Sequence, residues 1–183
     1  MPFTTYEYAR DLTLGVVVSF ALVGCAASGT SDIALQGGSA NIDADGFLDI
    51  AEEVIDLRQQ RLVSLAEFQR MADADDTIIL DTRSADAFAM GHMRGAINLP
   101  FSDFTDDKLA EIIPSKDTRI LIYCNNNFVD DVAPILLKRA ELALNVPTFI
   151  NLVGYGYENV YELGALTRSD DPDVYWVSEP LGS

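Results

Sequence analysis

The 183-residue chain has few of the residue types on which many binding and catalytic sites depend. It contains one His and two Cys, and 12 Lys and Arg stand against 29 Asp and Glu, for a net charge of −17. Nucleic-acid binding needs Lys and Arg against the phosphates, so this balance predicts no nucleic-acid partner. One His and two Cys cannot form a zinc site without carboxylates, and two Cys allow at most one disulfide. We predict no metal and no cofactor.

An uncharged apolar run lies near the N-terminus, at residues 12–23. It is shorter than the roughly 20 residues of a transmembrane helix and suits the apolar part of a signal peptide. Leu22, Val23 and Gly24 stand before Cys25 and resemble the lipobox of bacterial lipoproteins, in which cleavage precedes acylation of the Cys. The resemblance implies a signal peptide at residues 1–24 and a lipidated Cys25. Several acyl chains would anchor the protein stably to a membrane.

This resemblance implies a place in a bacterial cell envelope. Ala26 after the Cys resembles sorting to the periplasmic side of the outer membrane, and residues 25–46 would be the lipidated Cys and a flexible tether. However, Glu7 and Asp11 precede the apolar run, whereas a signal peptide normally begins with net positive charge. The alternative is a buried apolar strand or helix with an incidental Cys.

Predicted helices and strands alternate along the rest of the chain, which is typical of a parallel sheet covered by helices. Apolar spacing predicts a leading helix at 47–61, and Ser64 with Glu67 forms a capping-box pattern for a helix ending near Ala72. Further strands are predicted at 77–80, 96–99, 119–123 and 159–163, and further helices at 84–90 and 105–113. We predict a single α/β domain at 62–168, with a parallel central sheet flanked by helices on both faces, and a C-terminal tail at 169–183.

Residues 41–52 resemble an EF-hand calcium loop. Oxygen-bearing side chains fall at positions one, three, five, nine and twelve, and Gly46 falls at position six. However, Asn41 replaces the usual Asp, and no helix can precede the loop because LQGGSA stands there. We favour the alternative, an acidic helix start whose carboxylates stabilise the first turn.

Candidate chemistry follows two of the predicted strands. Ligands of open parallel sheets bind outside the carboxyl ends of the strands, where Asp81-Thr82-Arg83 and Cys124 stand. Free backbone amides can stabilise a thiolate without a His, and they can cradle an anion above the sulfur. The alternative for Cys124 is a small buried hydrophobic residue.

Six motifs stand in a fixed order between Leu62 and Leu166. They are a capped helix at 62–68, Asp-x-Arg at 81–83, an acidic and an aromatic residue before Gly-His at 86–92, Gly-Ala-x-Asn-x-Pro at 95–100, Tyr-Cys at 123–124, and Gly-Tyr-x-Asn-Val-x-x-Leu at 156–163. Together they resemble the rhodanese (sulfurtransferase) family. The resemblance implies that Cys124 cycles between thiolate and persulfide and that Asp81 and Arg83 support the active-site loop. It also implies that His92 is structural, with general base as the competing role.

A small sulfur donor or anion would then bind the loop after the Cys, at Asn125, Asn126, Asn127 and Phe128. This loop departs from the catalytic pattern Cys-x-x-Gly-x-Arg, because it has neither the Gly nor the Arg. Asp130 and Asp131 stand where a cation is expected. Acidic neighbours disfavour a thiolate, so the departure counts against activity.

The chain also has roughly 15 residues more than the family between the Cys and the last motif, too many for an ordinary short connection. The next helix could span 132–144, with Pro134 in its first turn. Alternatively it could start near Pro147 and leave 125–145 as an elaborated loop, in which Lys138 and Arg139 supply positive charge. We prefer the second placement, because it keeps the family's spacing before Gly156.

Three functions remain open. The first is a lipid-anchored sulfurtransferase or sulfur carrier. The second is a catalytically inactive module that binds a small anion or an envelope protein, whose identity the sequence does not give. The third is a phosphatase, because the cell-cycle dual-specificity phosphatases share this fold. The missing Arg counts against it, since phosphoryl transfer needs positive charge on the equatorial oxygens.

Overall fold

The computed structural model describes residues 40–178. The predicted signal peptide, the lipobox Cys25 and most of the predicted tether lie outside the described residues. Within residues 40–178, no helix is both long enough and apolar enough to span a membrane.

Seven strands and five α-helices make up the described fold. The strands are β1 (Leu62–Val63), β2 (Thr77–Asp81), β3 (His92–Met93), β4 (Ala96–Asn98), β5 (Arg119–Tyr123), β6 (Val160–Leu163) and β7 (Trp176–Val177). The helices are α1 (Ala44–Gln60), α2 (Leu65–Ala72), α3 (Ala85–Met90), α4 (Asp106–Ile112) and α5 (Asn145–Gly154). Five strands pair in parallel in the order β1-β6-β5-β2-β4, and β3 pairs with β7 in an antiparallel ribbon. The predicted α/β class with a parallel central sheet is confirmed.

Strand β5 shows how one apolar run supplies two cores. Successive side chains of a strand point to opposite faces of the sheet. Ile120 and Ile122 pack into a core with residues of α1, α4 and α5, whereas Leu121 and Tyr123 pack into a second core that includes Phe68 of α2. The run lacks alternating polar residues because both faces of the sheet are covered.

Helix α1 settles the two interpretations of residues 41–52. Asp43 caps the helix by accepting a hydrogen bond from the Gly46 N–H at 2.8 Å. Since residues from Ala44 onward are helical, they do not form an EF-hand loop, and the acidic helix start is the observed structure. The predicted leading helix at 47–61 is present but begins earlier, at Ala44.

The capping box at the start of α2 is only half formed. Ser64 accepts from the Glu67 N–H at 3.2 Å, and the helix ends at Ala72 as predicted. The Glu67 carboxylate, however, pairs with the Arg70 guanidinium of its own helix. The ion pair with Arg70 competes with the hydrogen bond that the Glu67 carboxylate would accept from the Ser64 backbone N–H in a complete capping box.

The predicted tail takes part in the fold. Val174 is fully buried, and β7 pairs with β3 through Met93 and Trp176. The domain therefore continues past the predicted boundary at residue 168, at least to Val177.

The segment after β5 follows the second of the two predicted placements, an elaborated loop before the next helix. Helix α5 spans Asn145–Gly154, and residues 125–144 form an elaborated loop with two short 3₁₀ turns, at Asn125–Asn127 and Ala140–Leu142. The alternative helix at 132–144 is absent.

Candidate active site

Cys124 directly follows β5, at the carboxyl edge of the sheet, and begins the 3₁₀ turn Asn125–Asn127. Only 2% of its surface is exposed. The backbone N–H groups of Asn126, Leu144 and Asn145 are directed at its sulfur. Two of these three amides come from the start of α5, so the helix after the loop completes the surroundings of the thiol.

Burial raises the pKa of the Cys124 thiol above its ordinary value. The amides of Asn126 and Asn145 oppose that rise, because they favour negative charge on sulfur, while the Glu162 carboxylate adds to it. The outcome is a thiol that is mostly protonated at neutral pH.

A buried polar cluster lies beside the thiol and ties three segments together. Asp81 is fully buried and accepts hydrogen bonds from Arg83 Nη2 at 2.6 Å, from the Arg83 backbone N–H at 3.0 Å and from the Tyr123 hydroxyl at 2.5 Å. Arg83 Nη2 also donates to the Gly91 carbonyl at 2.7 Å, and the Met93 N–H donates to the Tyr123 oxygen at 3.1 Å. Burial, then the charge of Asp81, raises the pKa of Tyr123 well above its ordinary value, so the phenol stays a donor.

A cleft of about 540 Å³ opens above Cys124. One wall follows β2 and includes Thr82 and Arg83, a second is Pro100–Asp103, and a third comes from the elaborated loop. Asp81 is not among the lining residues; it lies under Arg83. Of the two predicted support residues, Arg83 therefore borders the cleft, and Asp81 holds Arg83 in place.

The predicted binding loop divides in the same way. Asn125 and Asn126 line the cleft, whereas Asn127 and Phe128 do not. Asn127 is buried, and Phe128 packs edge-on against Tyr123 in the core with 1% of its surface exposed. A 3₁₀ turn has three residues per turn, so successive side chains point in very different directions. Of the four residues predicted to bind the donor, only Asn125 and Asn126 therefore face the cleft.

His92 has the contacts of a structural residue. Its Nδ1 lies 2.8 Å from the Phe88 carbonyl oxygen, and its ring stacks on the Phe88 ring at 3.7 Å. It does not line the cleft above Cys124.

A family model described as the rhodanese-like domain matches residues 64–164. The chain belongs to the rhodanese-like domain family. Among curated proteins it is similar to a tRNA uridine(34) hydroxylase of Staphylococcus aureus, with 30% identity over 142 residues, which cover 70% of this chain and 39% of that protein. It is also similar to the HTH-type transcriptional regulator Rv0324 of Mycobacterium tuberculosis, with 29% identity over 100 residues, covering 53% of this chain and 43% of that protein. The chain thus spans less than half the length of these curated relatives.

Among solved structures, the rhodanese-like chain is similar to a thiosulfate sulfurtransferase from Pseudomonas aeruginosa. The identity is 23% and the TM-score 0.44, over 64% of this chain and 20% of that chain.

The elaborated loop of this rhodanese-like domain is held over the site by two asparagines. Asn125 Nδ2 donates to the Leu136 carbonyl at 2.8 Å. Asn126 exchanges two hydrogen bonds with the Lys138 backbone, at 2.7 and 3.0 Å. Lys138 consequently lines the cleft, while Arg139 points away and pairs with Glu141 at 3.7 Å. Of the two cations expected from this loop, only Lys138 lines the cleft.

The acidic pair that was expected to oppose the thiolate lies elsewhere. Asp130 accepts from the Ser169 N–H at 2.9 Å, and Asp131 accepts from the Leu137 N–H at 3.0 Å. Neither lines the cleft, so that expectation is wrong. The carboxylate that acts on the thiol is Glu162 of β6, which sequence reasoning missed. The available signal was a single charge within an otherwise apolar and aromatic strand.

Proposed function

We propose that this rhodanese-like domain accepts a sulfur atom on Cys124 as a persulfide and passes it on, as a sulfurtransferase or a sulfur carrier. The observation that carries the proposal is the thiol at the floor of an open cleft, with the amides of Asn126, Leu144 and Asn145 directed at the sulfur. Such amides stabilise negative charge on a thiolate or a persulfide. This arrangement supports the proposal of sulfur transfer at Cys124 even though its loop lacks the usual Arg.

The reaction needs two displacements at sulfur. The thiol first loses its proton to solvent, and the thiolate attacks the outer sulfur of an anionic donor such as thiosulfate. The new Sγ–S bond forms as the S–S bond of the donor breaks, and sulfite leaves with the electron pair. An acceptor nucleophile then takes the outer sulfur, which restores the thiolate.

Lys138 is the cation we assign to donor binding. It lines the cleft, and the Asn126 bonds to its backbone fix its place in the loop. Arg83 also borders the cleft, but its charge is matched by Asp81. A small anion or sulfur donor is the partner this arrangement favours.

The second candidate function is anion binding without sulfur transfer. It is favoured by the 2% exposure of Cys124 and by its raised pKa, since both reduce the thiolate available for attack. In that case the cleft would still hold the anion at Lys138 and the amides. The phosphatase alternative has less support, because the elaborated loop brings no Arg to the cleft.

The tRNA in the name of the Staphylococcus aureus relative is not part of our proposal. The net charge of −17 disfavours contact with nucleic-acid phosphates, and the match covers 39% of that protein. We infer a membrane attachment through a lipidated Cys25 instead, on the periplasmic side of the outer membrane. It is supported by the apolar run and lipobox-like residues 12–25.

The transferase activity is tested on full-length Cys25→Ser protein, so that Cys124 is the only thiol. Thiosulfate, mercaptopyruvate and polysulfide serve in turn as donors, cyanide is the acceptor, and thiocyanate is measured. We expect thiocyanate with at least one donor and none from the Cys25→Ser, Cys124→Ser protein. Absence of turnover with all three donors, together with saturable thiosulfate binding, would establish the second candidate instead.

The anchor is tested by fractionating cells that express the full chain. The unmodified protein should sediment with membranes, and Cys25→Ala should move to the soluble fraction. A Cys25→Ala protein that stays with the membrane contradicts the lipoprotein proposal.

A further inference from the structure

Helix α1 lies outside the residues that match the family model, yet it reaches the back of the candidate site. Arg58, in its last turn, makes a two-point ion pair with Glu162 of β6. The Nε–Oε2 and Nη2–Oε1 distances are both 2.6 Å. Side-chain exposure is 17% for Arg58 and 5% for Glu162, so the pair is largely removed from water. Removing one partner of such a pair leaves an uncompensated charge inside the protein.

A short chain of amides connects this ion pair to Cys124. Asn145 Nδ2 lies 3.1 Å from Glu162 Oε1 and 3.1 Å from Asn127 Oδ1. The same Asn127 oxygen accepts from the Cys124 backbone N–H at 2.9 Å. The backbone N–H of Asn145 is also directed at the Cys124 sulfur. Arg58 therefore fixes the carboxylate that holds Asn145, and Asn145 contacts both the turn and the thiol.

We propose that Arg58 is a positioning residue for Cys124, which holds Glu162 and offsets its charge so that this buried carboxylate opposes formation of the thiolate less than an unpaired one would. Like charges disfavour each other most strongly where solvent is excluded. The same contact keeps Asn145 oriented with its backbone N–H toward the sulfur. Helix α1 thus supplies a positioning residue of the candidate site.

The proposal rests on the proposed function only in that sulfur transfer requires a thiolate. The charged and titratable groups near Cys124 come from several elements. They are Glu162 on β6 with Arg58 of α1 behind it, Arg83 paired with Asp81 after β2, Tyr123 on β5, and Asp103 and Lys138 lining the cleft. Glu162 is the one carboxylate among them that acts on the thiol.

The test measures ionisation of the thiol in full-length Cys25→Ser protein, from the rate of iodoacetamide alkylation against pH. With Arg58→Gln we expect the midpoint to rise by about one pH unit, which is about tenfold less thiolate below the midpoint. With Glu162→Gln the midpoint should fall. The midpoint of the Arg58→Gln, Glu162→Gln double variant should fall below that of Arg58→Gln, because the carboxylate that Arg58 neutralises is then gone.

Arg61→Gln is the matched control. Arg61 directly follows α1 and stands about one turn after Arg58. Its Cζ atom lies 4.5 Å from the centroid of the Tyr161 ring, and its side chain does not pair with Glu162. It should leave the midpoint unchanged. An unchanged midpoint in folded Arg58→Gln protein overturns the proposal, as does an equal shift in Arg61→Gln.

A loosened helix is the competing explanation for any effect of Arg58→Gln. Loosening would expose Cys124 and raise the alkylation rate at every pH, and Glu162→Gln would not reverse it. That pattern overturns the proposal too. Persulfide formation is assayed separately on the protein with Arg58 intact, so a shifted midpoint without any persulfide would reject the proposed function and leave the role of Arg58 standing.

Discussion

The buried ion pair between Asp81 and Arg83 gives the most quantitative prediction. Asp81 is fully buried and Arg83 is 4% exposed, and Asp81 accepts from both Arg83 and Tyr123. Asp81→Asn keeps the shape of the side chain but leaves the guanidinium buried without a counter-charge. Breaking a buried pair in this way costs about 3–5 kcal/mol of unfolding free energy. Since a domain of this kind has about 5–15 kcal/mol in total, the variant should be severely destabilised.

Urea unfolding followed by circular dichroism measures this loss. With a slope of about 1–3 kcal/mol per molar urea, the midpoint should fall by roughly 1–5 M. The matched control is Asp76→Asn, because Asp76 pairs with Arg119 at 3.4 Å while its side chain is 73% exposed. Such surface pairs contribute about 0–1 kcal/mol. Equal losses in the two variants would refute the argument that burial sets the cost.

Three other predictions follow from the same geometry. Bound thiosulfate should protect Cys124 from alkylation, and Lys138→Gln should weaken that protection severalfold. Arg139→Gln should not weaken it, because the Arg139 side chain faces away from the cleft. Equal effects of the two variants would contradict the assignment of Lys138. The alkylation midpoint of Cys124 should be higher in folded than in urea-unfolded protein, because its pKa is raised by burial. Burial of the neutral thiol contributes free energy of unfolding that is present below the thiol pKa of the unfolded chain and is lost as pH rises through the thiol pKa of the folded protein. An alkylation midpoint of the folded protein at or below that of the unfolded chain would contradict the burial argument. Phe128→Ala should lower the free energy of unfolding in urea by about 3–5 kcal/mol. A loss below about 1 kcal/mol would contradict the core position of Phe128 and support its predicted place in the binding loop.

The sheet and its covering helices could be predicted because their signals are local. Apolar runs of strand length, such as the one that became β5, need burial on both faces, and Ser64 supplies a cap that depends only on its own helix. The placement of α5 followed from the family's spacing before Gly156, which put the helix start near Pro147, two residues from the observed start at Asn145.

The details of the site depend on side-chain direction, which chain order does not give. Asn127 turns inward and Asp130 turns toward Ser169, although both stand within a few residues of Cys124. Glu162 and Arg58 meet the site from distant parts of the chain, through tertiary packing of α1 and β6. Proximity in sequence therefore misassigned the acidic residues that act on the thiol.

The most direct test of the account is whether folded protein forms a persulfide on Cys124. Full-length Cys25→Ser protein is incubated with thiosulfate or polysulfide, freed of donor, and analysed by intact mass and peptide mapping. We predict a gain of one sulfur atom, located on Cys124 and removed by a reductant. An unmodified Cys124 in folded protein, under conditions where the urea-unfolded chain is modified, would contradict the central claim.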